Sequence, residues 1–201
     1  MTRSFDRGIA PPDALNTDIE NKEAPKPLDI SALVFSQDDE RPLRNEGERG
    51  YVKEIAAMFH GQEVSLLAKK TNSVLANGEE REKNMLCKVM FPQGYVELDF
   101  YFFHAPSGHI TVSGYIEKKS TDAGVSLPKH VGLDVYRQGL AYIERFARSK
   151  KTVVTHKVEA VPSYGLSIEK WLTIFEPLLV EYGYTRSDKQ SFVWEKTYRP
   201  V

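Results

Sequence analysis

The sequence predicts an α+β fold, one domain over residues 29–201 behind an N-terminal tail of residues 1–28. Three observations predict it. The middle of the chain holds three stretches of strand-like alternation separated by very short turns. Two later stretches carry apolar residues at helical spacing. The tail holds Pro11, Pro12, Pro25 and Pro27, many acids and amides and few large apolar side chains, so burial cannot offset its ordering entropy. The remaining body is large enough to bury about two-thirds of its unfolded surface without a metal or disulfide.

The elements follow in order. Ile30–Phe35 (Ile-Ser-Ala-Leu-Val-Phe) reads as the first strand, and residues 36–44 as a charged loop. In Glu46–Phe59, Tyr51, Ile55, Met58 and Phe59 recur at three- and four-residue steps, which predicts a helix. Gln62–Lys70 fits a short helix or a strand. Asn77-Gly78 marks a turn, and Glu79–Lys83 reads as a solvated charge run.

Met85–Phe91, Tyr95–Phe103 and His109–Lys118 read as strands. The turns Pro92-Gln93-Gly94 and Ala105-Pro106-Ser107-Gly108 are short enough to force antiparallel neighbours, hence a three-stranded meander. Val131–Arg148 is predicted as a helix and Thr152–Val161 as a strand. Ser167 is placed to cap a second helix, which Pro177 should kink or split and Gly183 should stop. Phe192–Tyr198 closes the chain as a strand.

Charge and motifs exclude several classes. With 27 basic and 28 acidic residues the formal net charge is -1, so no long-range pull on nucleic acid or anionic lipid is expected. Cys87 is the single cysteine, so no internal disulfide forms. No apolar run approaches the roughly 20 residues of a membrane span. The first ten residues lack the apolar core of a signal peptide. A cytoplasmic protein without membrane partners is expected. The sequence carries no Walker loop, nucleophile elbow, zinc-type cysteine spacing or dinucleotide fingerprint.

Several residues have chemistry to offer. Glu97 and Asp99, two apart on a strand, leave the same face. With Tyr95, Tyr101 and Tyr115 they form either a general base able to take a proton from an amine, or the solvated face of a sheet whose tyrosines cover their neighbours. His104 and His109 flank a turn without a third metal ligand. His156 lies on the apolar face of its strand, the pattern of a hydrogen-bonded core histidine. Cys87 alternates with Met85, Val89 and Phe91 and reads as core. His130 precedes a helix, where an anion would meet it, or is an ordinary loop residue.

The order of elements over about 30–198 resembles the GNAT superfamily of N-acetyltransferases. Two stretches add to the likeness. His109–Lys118 with the helix from Val131 resembles the family's acetyl-CoA segment. Leu178-Leu179-Val180-Glu181-Tyr182-Gly183-Tyr184, before an aromatic strand, resembles its closing helix.

The resemblance implies a mixed, mostly antiparallel sheet with helices on both faces. It implies transfer of an acetyl or related group from acyl-CoA to the amine of a small molecule or peptide. The cofactor's arm would lie along the backbone N–H groups of Ile116, Glu117 and Lys118. Its pyrophosphate would sit at Lys129, His130 and Gly132, where a helix start supplies N–H groups and a favourable dipole. Glu97 or Asp99 would be the base, and a strand N–H would stabilise the oxyanion. The family's acid toward the thiolate lies four positions before the glycine, where this chain has Leu179, and Tyr182 is the nearest tyrosine. Asp134 stands where the family has a small residue. These two departures favour a rival reading, a non-catalytic α+β domain that binds a protein partner, with the tail as a docking segment.

Overall fold

Alternation of apolar and polar residues runs through the chain from residue 48 to residue 120, and each alternating stretch forms a strand. The structure is a computed structural model, which describes residues 24–43, 47–120, 127, 130–160, 167–187 and 192–200. In chain order the elements are β1 (Lys26–Pro27), a 3-10 turn (Gln37–Asp39), β2 (Glu40–Arg41), β3 (Glu48–Phe59), β4 (Gln62–Val74), β5 (Glu80–Phe91), β6 (Gly94–His104) and β7 (Ile110–Ser120). Then come α1 (Val131–Ser149), β8 (Val154–Glu159), α2 (Ile168–Glu181), β9 (Thr185–Arg186) and β10 (Val193–Tyr198).

One ten-stranded sheet results, in the order β1-β3-β4-β5-β6-β7-β8-β10-β9, with β2 also on β3. From β3 to β7 every neighbour is antiparallel. α1 carries the chain from β7 to the parallel strand β8. The two-residue strands β1 and β9 end the sheet.

This corrects the expected sheet with helices on both faces. The fold is dominated by its sheet, and α1 and α2, the helices of the described residues, share one face. Tyr142 and Phe146 of α1 lie 6.5 Å and 4.7 Å, ring to ring, from Phe100 and Phe102 of β6. Trp171 of α2 lies 5.5 Å from Trp194 of β10. Trp194 pairs with Val158, Val158 with Gly114 and Gly114 with Phe100, and paired residues share a face. Tyr136 and Phe175 join the helices at 5.3 Å.

The helix expected over Glu46–Phe59 is strand β3. Tyr51, Ile55 and Phe59 are four apart, a spacing that fits a period of two as well as one of 3.6. β3 pairs with β4 without a break from Glu48↔Ser73 to Phe59↔Gln62. The charge run Glu79–Lys83 lies almost wholly in β5. The expected strand Ile30–Phe35 is instead an irregular strap with Leu28, Ile30 and Leu33 in the core. Gln138 of α1 holds it as a strand would. Its Oε1 accepts from the Ile30 N–H (2.9 Å), and its Nε2 donates to the Leu28 carbonyl (3.1 Å). Lys26–Pro27 pair with β3 and Leu28 is buried, so the end of the expected tail belongs to the fold.

The meander, α1 and Gly78 at its turn (φ +80°) are found where the sequence places them. So are the Ser167 cap, whose Oγ accepts from the Lys170 N–H, and the Gly183 stop (φ +76°). The helix α2 runs through Pro177 unbroken. α1 lies very close to β6. A Cβ on Gly139 would stand 2.7 Å from Leu98 Cδ1 and 3.1 Å from Phe100 Cζ. Burying side chains of this size contributes about 1.5–3 kcal/mol each. Among the described residues no helix is long and apolar enough to cross a membrane.

Candidate functional site on the open face of the sheet

The strands that send Val89, Leu98 and Val112 under the helices send a second set of residues the other way. Register places that set in rows across β5, β6 and β7. Glu97 lies between Lys88 and Glu117, Asp99 between Leu86 and Tyr115, and Tyr101 between Asn84 and Ser113. Among the described residues no helix lies over them.

Exposed apolar side chains stand on this face, Met90 at one end of the β6 row and Tyr101, Phe103 and Tyr115 toward the other. Tyr115 is 47% exposed, Tyr101 39%, Phe103 58% and Met90 37%. Asp99 lies beneath the tyrosines and is only 5% exposed. Its carboxylate accepts from Asn84 Nδ2 and from the Tyr101 hydroxyl (2.6 Å). The bond to Asp99 and partial desolvation push the Tyr101 phenol up to about 12. Desolvation and the charges of Asp99, Glu97 and Glu117 raise that of Tyr115. Lys88 pairs with Glu97 at 3.5 Å and lies 3.5 Å from the centre of the Tyr95 ring. Each Asp99 oxygen is engaged by a fixed neutral donor, so the group holds the tyrosines in place.

The sequence-predicted site residues divide between the two sides of the sheet. Glu97, Asp99 and Glu117 share the open face. Ile116 and Lys118 alternate to the helix side, where Lys118 Nζ donates to the Leu127 carbonyl at 3.4 Å. A Cβ on Gly132 would stand 3.8 Å from Lys118 Cδ, so the start of α1 adjoins the end of β7. His130 is the N-cap of α1 at φ +66°, without a side-chain capping bond. Lys129 lies outside the described residues. Tyr182, on the helix side, donates to the Arg137 carbonyl at 3.4 Å. The pairing of β7 with β8 runs from Ile110↔Val154 to Gly114↔Val158, while β7 continues to Ser120. Val158 is one residue from the end of β8, so β8 is paired along almost its whole length. A Cβ on Gly114 would stand 2.4 Å from the Asp99 carbonyl oxygen.

The other candidates are structural. His156 is buried and bonds through Nδ1 to the Tyr184 hydroxyl, and desolvation pushes its pKa down to about 3. Cys87 is buried, and desolvation raises its thiol. His104 Nε2 meets the Glu82 carbonyl at 2.7 Å. Among the described residues no three metal-ligating side chains cluster. Sequence reasoning found the tyrosines and acids of the open face but missed Asn84, Lys88, Met90 and the exposure of Phe103. The alternation Asn84-Leu86-Lys88-Met90 opposite the β6 row was the available signal.

Compared with known protein families, with curated proteins and with solved structures, the chain matches none.

Proposed function

We propose that the chain is a non-catalytic module that binds a protein partner through the open face of its sheet. The observation that carries this is the exposed group Tyr101, Phe103 and Tyr115 on rigid strands, with Tyr101 anchored by Asp99. Contiguous exposed apolar surface marks interaction sites, and tyrosine is enriched among the residues that dominate interface energies. Strands fix these side chains before binding, which lowers the ordering cost of association. A lone buried thiol, Cys87, fits a reducing, cytoplasmic setting. The test is a photo-crosslinking phenylalanine analogue at Phe103 of the full chain in its own cells, with Ile174 of α2, 44% exposed, as the control position. A discrete protein adduct is expected from position 103 and not from 174, and Tyr115→Arg should abolish it. No adduct, or identical adducts from both positions, would sink the reading.

One observation favours a second reading, an acyl-CoA-dependent N-acyltransferase acting on an amine. The strand β7 runs past the end of β8 to Ser120, and its Lys118 adjoins the start of α1. The arm of acetyl-CoA or another acyl-CoA would follow Ile116–Lys118, with its phosphates at Lys129, His130 and Gly132. Against it, Glu97 and Asp99 face away from that place, and the Tyr182 hydroxyl is bonded to backbone. Thermal melting with acetyl-CoA separates the two readings. Cofactor at 100 times its dissociation constant would add about 2.7 kcal/mol, and an unmoved midpoint at millimolar cofactor removes this reading.

A further inference from the structure

We infer that the partner met by the open face presents a basic segment, with a lysine or arginine side chain lying over Tyr115 and held by Glu117. This rests on the protein-binding reading above and names the partner's chemistry. The face contains its own precedent. Lys88 is held between the Tyr95 ring and the Glu97 carboxylate, both within 3.5 Å. One step along the same strands, Tyr115 stands opposite Asp99, and Glu117 opposite Glu97. Tyr115 and Glu117, two apart on one face of β7, repeat the ring and acid of Tyr95 and Glu97 without the cation. Asp99 takes only neutral donors, and among the described residues neither it nor Glu117 has a cationic partner. Lys119 follows Glu117 on the same face of β7, opposite Tyr95, without an ion pair to it among the described residues, and Lys157 stands between Ser113 and Glu195.

Complementarity then selects among occupants. An apolar partner would bury Glu117 unpaired, at the cost of a desolvated charge. A nucleic acid would bring phosphate onto carboxylate. A second copy packed on this face about a two-fold axis would bring like acids together. A cation over a tyrosine ring gains about 0.5–1 kcal/mol when exposed and about 2 when desolvated, before any charge pairing. Desolvation is the first cause of the raised Tyr115 phenol, and the charges of Asp99, Glu97 and Glu117 add to it.

The experiment titrates the full chain with a short synthetic peptide of alternating glycine and arginine, and with its glutamate counterpart, by calorimetry and amide NMR. Saturable binding of the arginine peptide is expected, weakening with salt and perturbing the amides of Asn84, Asp99, Tyr101 and Tyr115. Glu117→Gln and Tyr115→Ala, each at an accessible position, should each weaken it about tenfold, while Tyr115→Phe keeps the ring and most of the affinity. Equal binding of the glutamate peptide, or indifference to Glu117→Gln, would overturn the inference. So would a homodimer in ultracentrifugation that Tyr115→Arg abolishes, since it assigns the face to a second copy. Failure of the arginine peptide while position 103 still crosslinks a partner defeats this inference and leaves the protein-binding reading standing. Failure of both defeats both.

Discussion

The imidazole of His156 is hydrogen-bonded to the hydroxyl of Tyr184 inside the core, between β8 and the segment that follows α2. Burial holds the ring neutral, with its pKa pushed down to about 3. The unfolded chain takes up this proton near pH 6.5. Between those values the unfolded state therefore binds more protons than the fold. The stabilisation is complete above pH 6.5 and is lost as pH falls toward 3, at up to about 1.4 kcal/mol per unit. Urea melts at pH 7.5, 6.5 and 5.5 should show this slope in the native chain and a flatter one in His156→Asn. Parallel curves would mean that the ring titrates normally within the fold.

How much was legible beforehand depended on whether a local pattern had one physical reading. Turns too short for anything but hairpins made the β5–β7 meander readable, and the stripe of α1 and the Ser167 cap were equally unambiguous. Tyr51, Ile55 and Phe59 fit both periods, and only pairing with β4 along its full length decides between them. The strap 28–35 forms no strand because Gln138, more than a hundred residues away, satisfies its backbone. Glu97, Asp99 and the tyrosines were visible as one strand face. That the face stays open depends on where α1 and α2 pack, which alternation within a strand does not specify.

Gly139 and Gly132 lie on the same helix and should respond oppositely to alanine. In open helix, alanine is worth up to about 1 kcal/mol over glycine. At Gly132 the nearest neighbour is Lys118 Cδ at 3.8 Å, so Gly132→Ala should be neutral or stabilising. At Gly139 the new methyl meets Leu98 and Phe100, both buried, and overpacking costs about 1–3 kcal/mol. Gly139→Ala should therefore lower the urea midpoint at unchanged m-value. Two variants that both stabilise would place α1 farther from β6.

Gln138 links strap to helix through both ends of one amide. Gln138→Ala leaves the Ile30 N–H and the Leu28 carbonyl without partners in a part-buried setting, at about 1–3 kcal/mol each. Gln138→Glu keeps the acceptor for Ile30 and loses the donor to Leu28, so it should cost less. Native-state hydrogen exchange reads this directly. The Ile30 amide should lose most of its protection in Gln138→Ala and less in Gln138→Glu. Unchanged protection in both would show that burial of Ile30 and Leu33 holds the strap by itself.

Asp99 differs from the other acids of the open face because its neighbours already spend its oxygens. Asp99→Ala removes the acceptor of the Asn84 amide and of the Tyr101 hydroxyl, and because the exposed Tyr101 and the half-buried Asn84 can turn to water, about 1–3 kcal/mol of stability should go with them. Asp99→Asn keeps one acceptor and removes the charge, so its loss should be smaller. A spectral readout separates the charge from the packing. The Tyr101 phenol, held up to about 12 chiefly by its bond to the Asp99 carboxylate, should fall back toward 10 once that carboxylate becomes an amide. One of the ten tyrosines would then ionise earlier in an ultraviolet pH titration of Asp99→Asn, while the fold persists. Superimposable titrations of variant and native chain would mean that Tyr101 is held by something other than Asp99, and the anchored aromatic surface would lose its anchor.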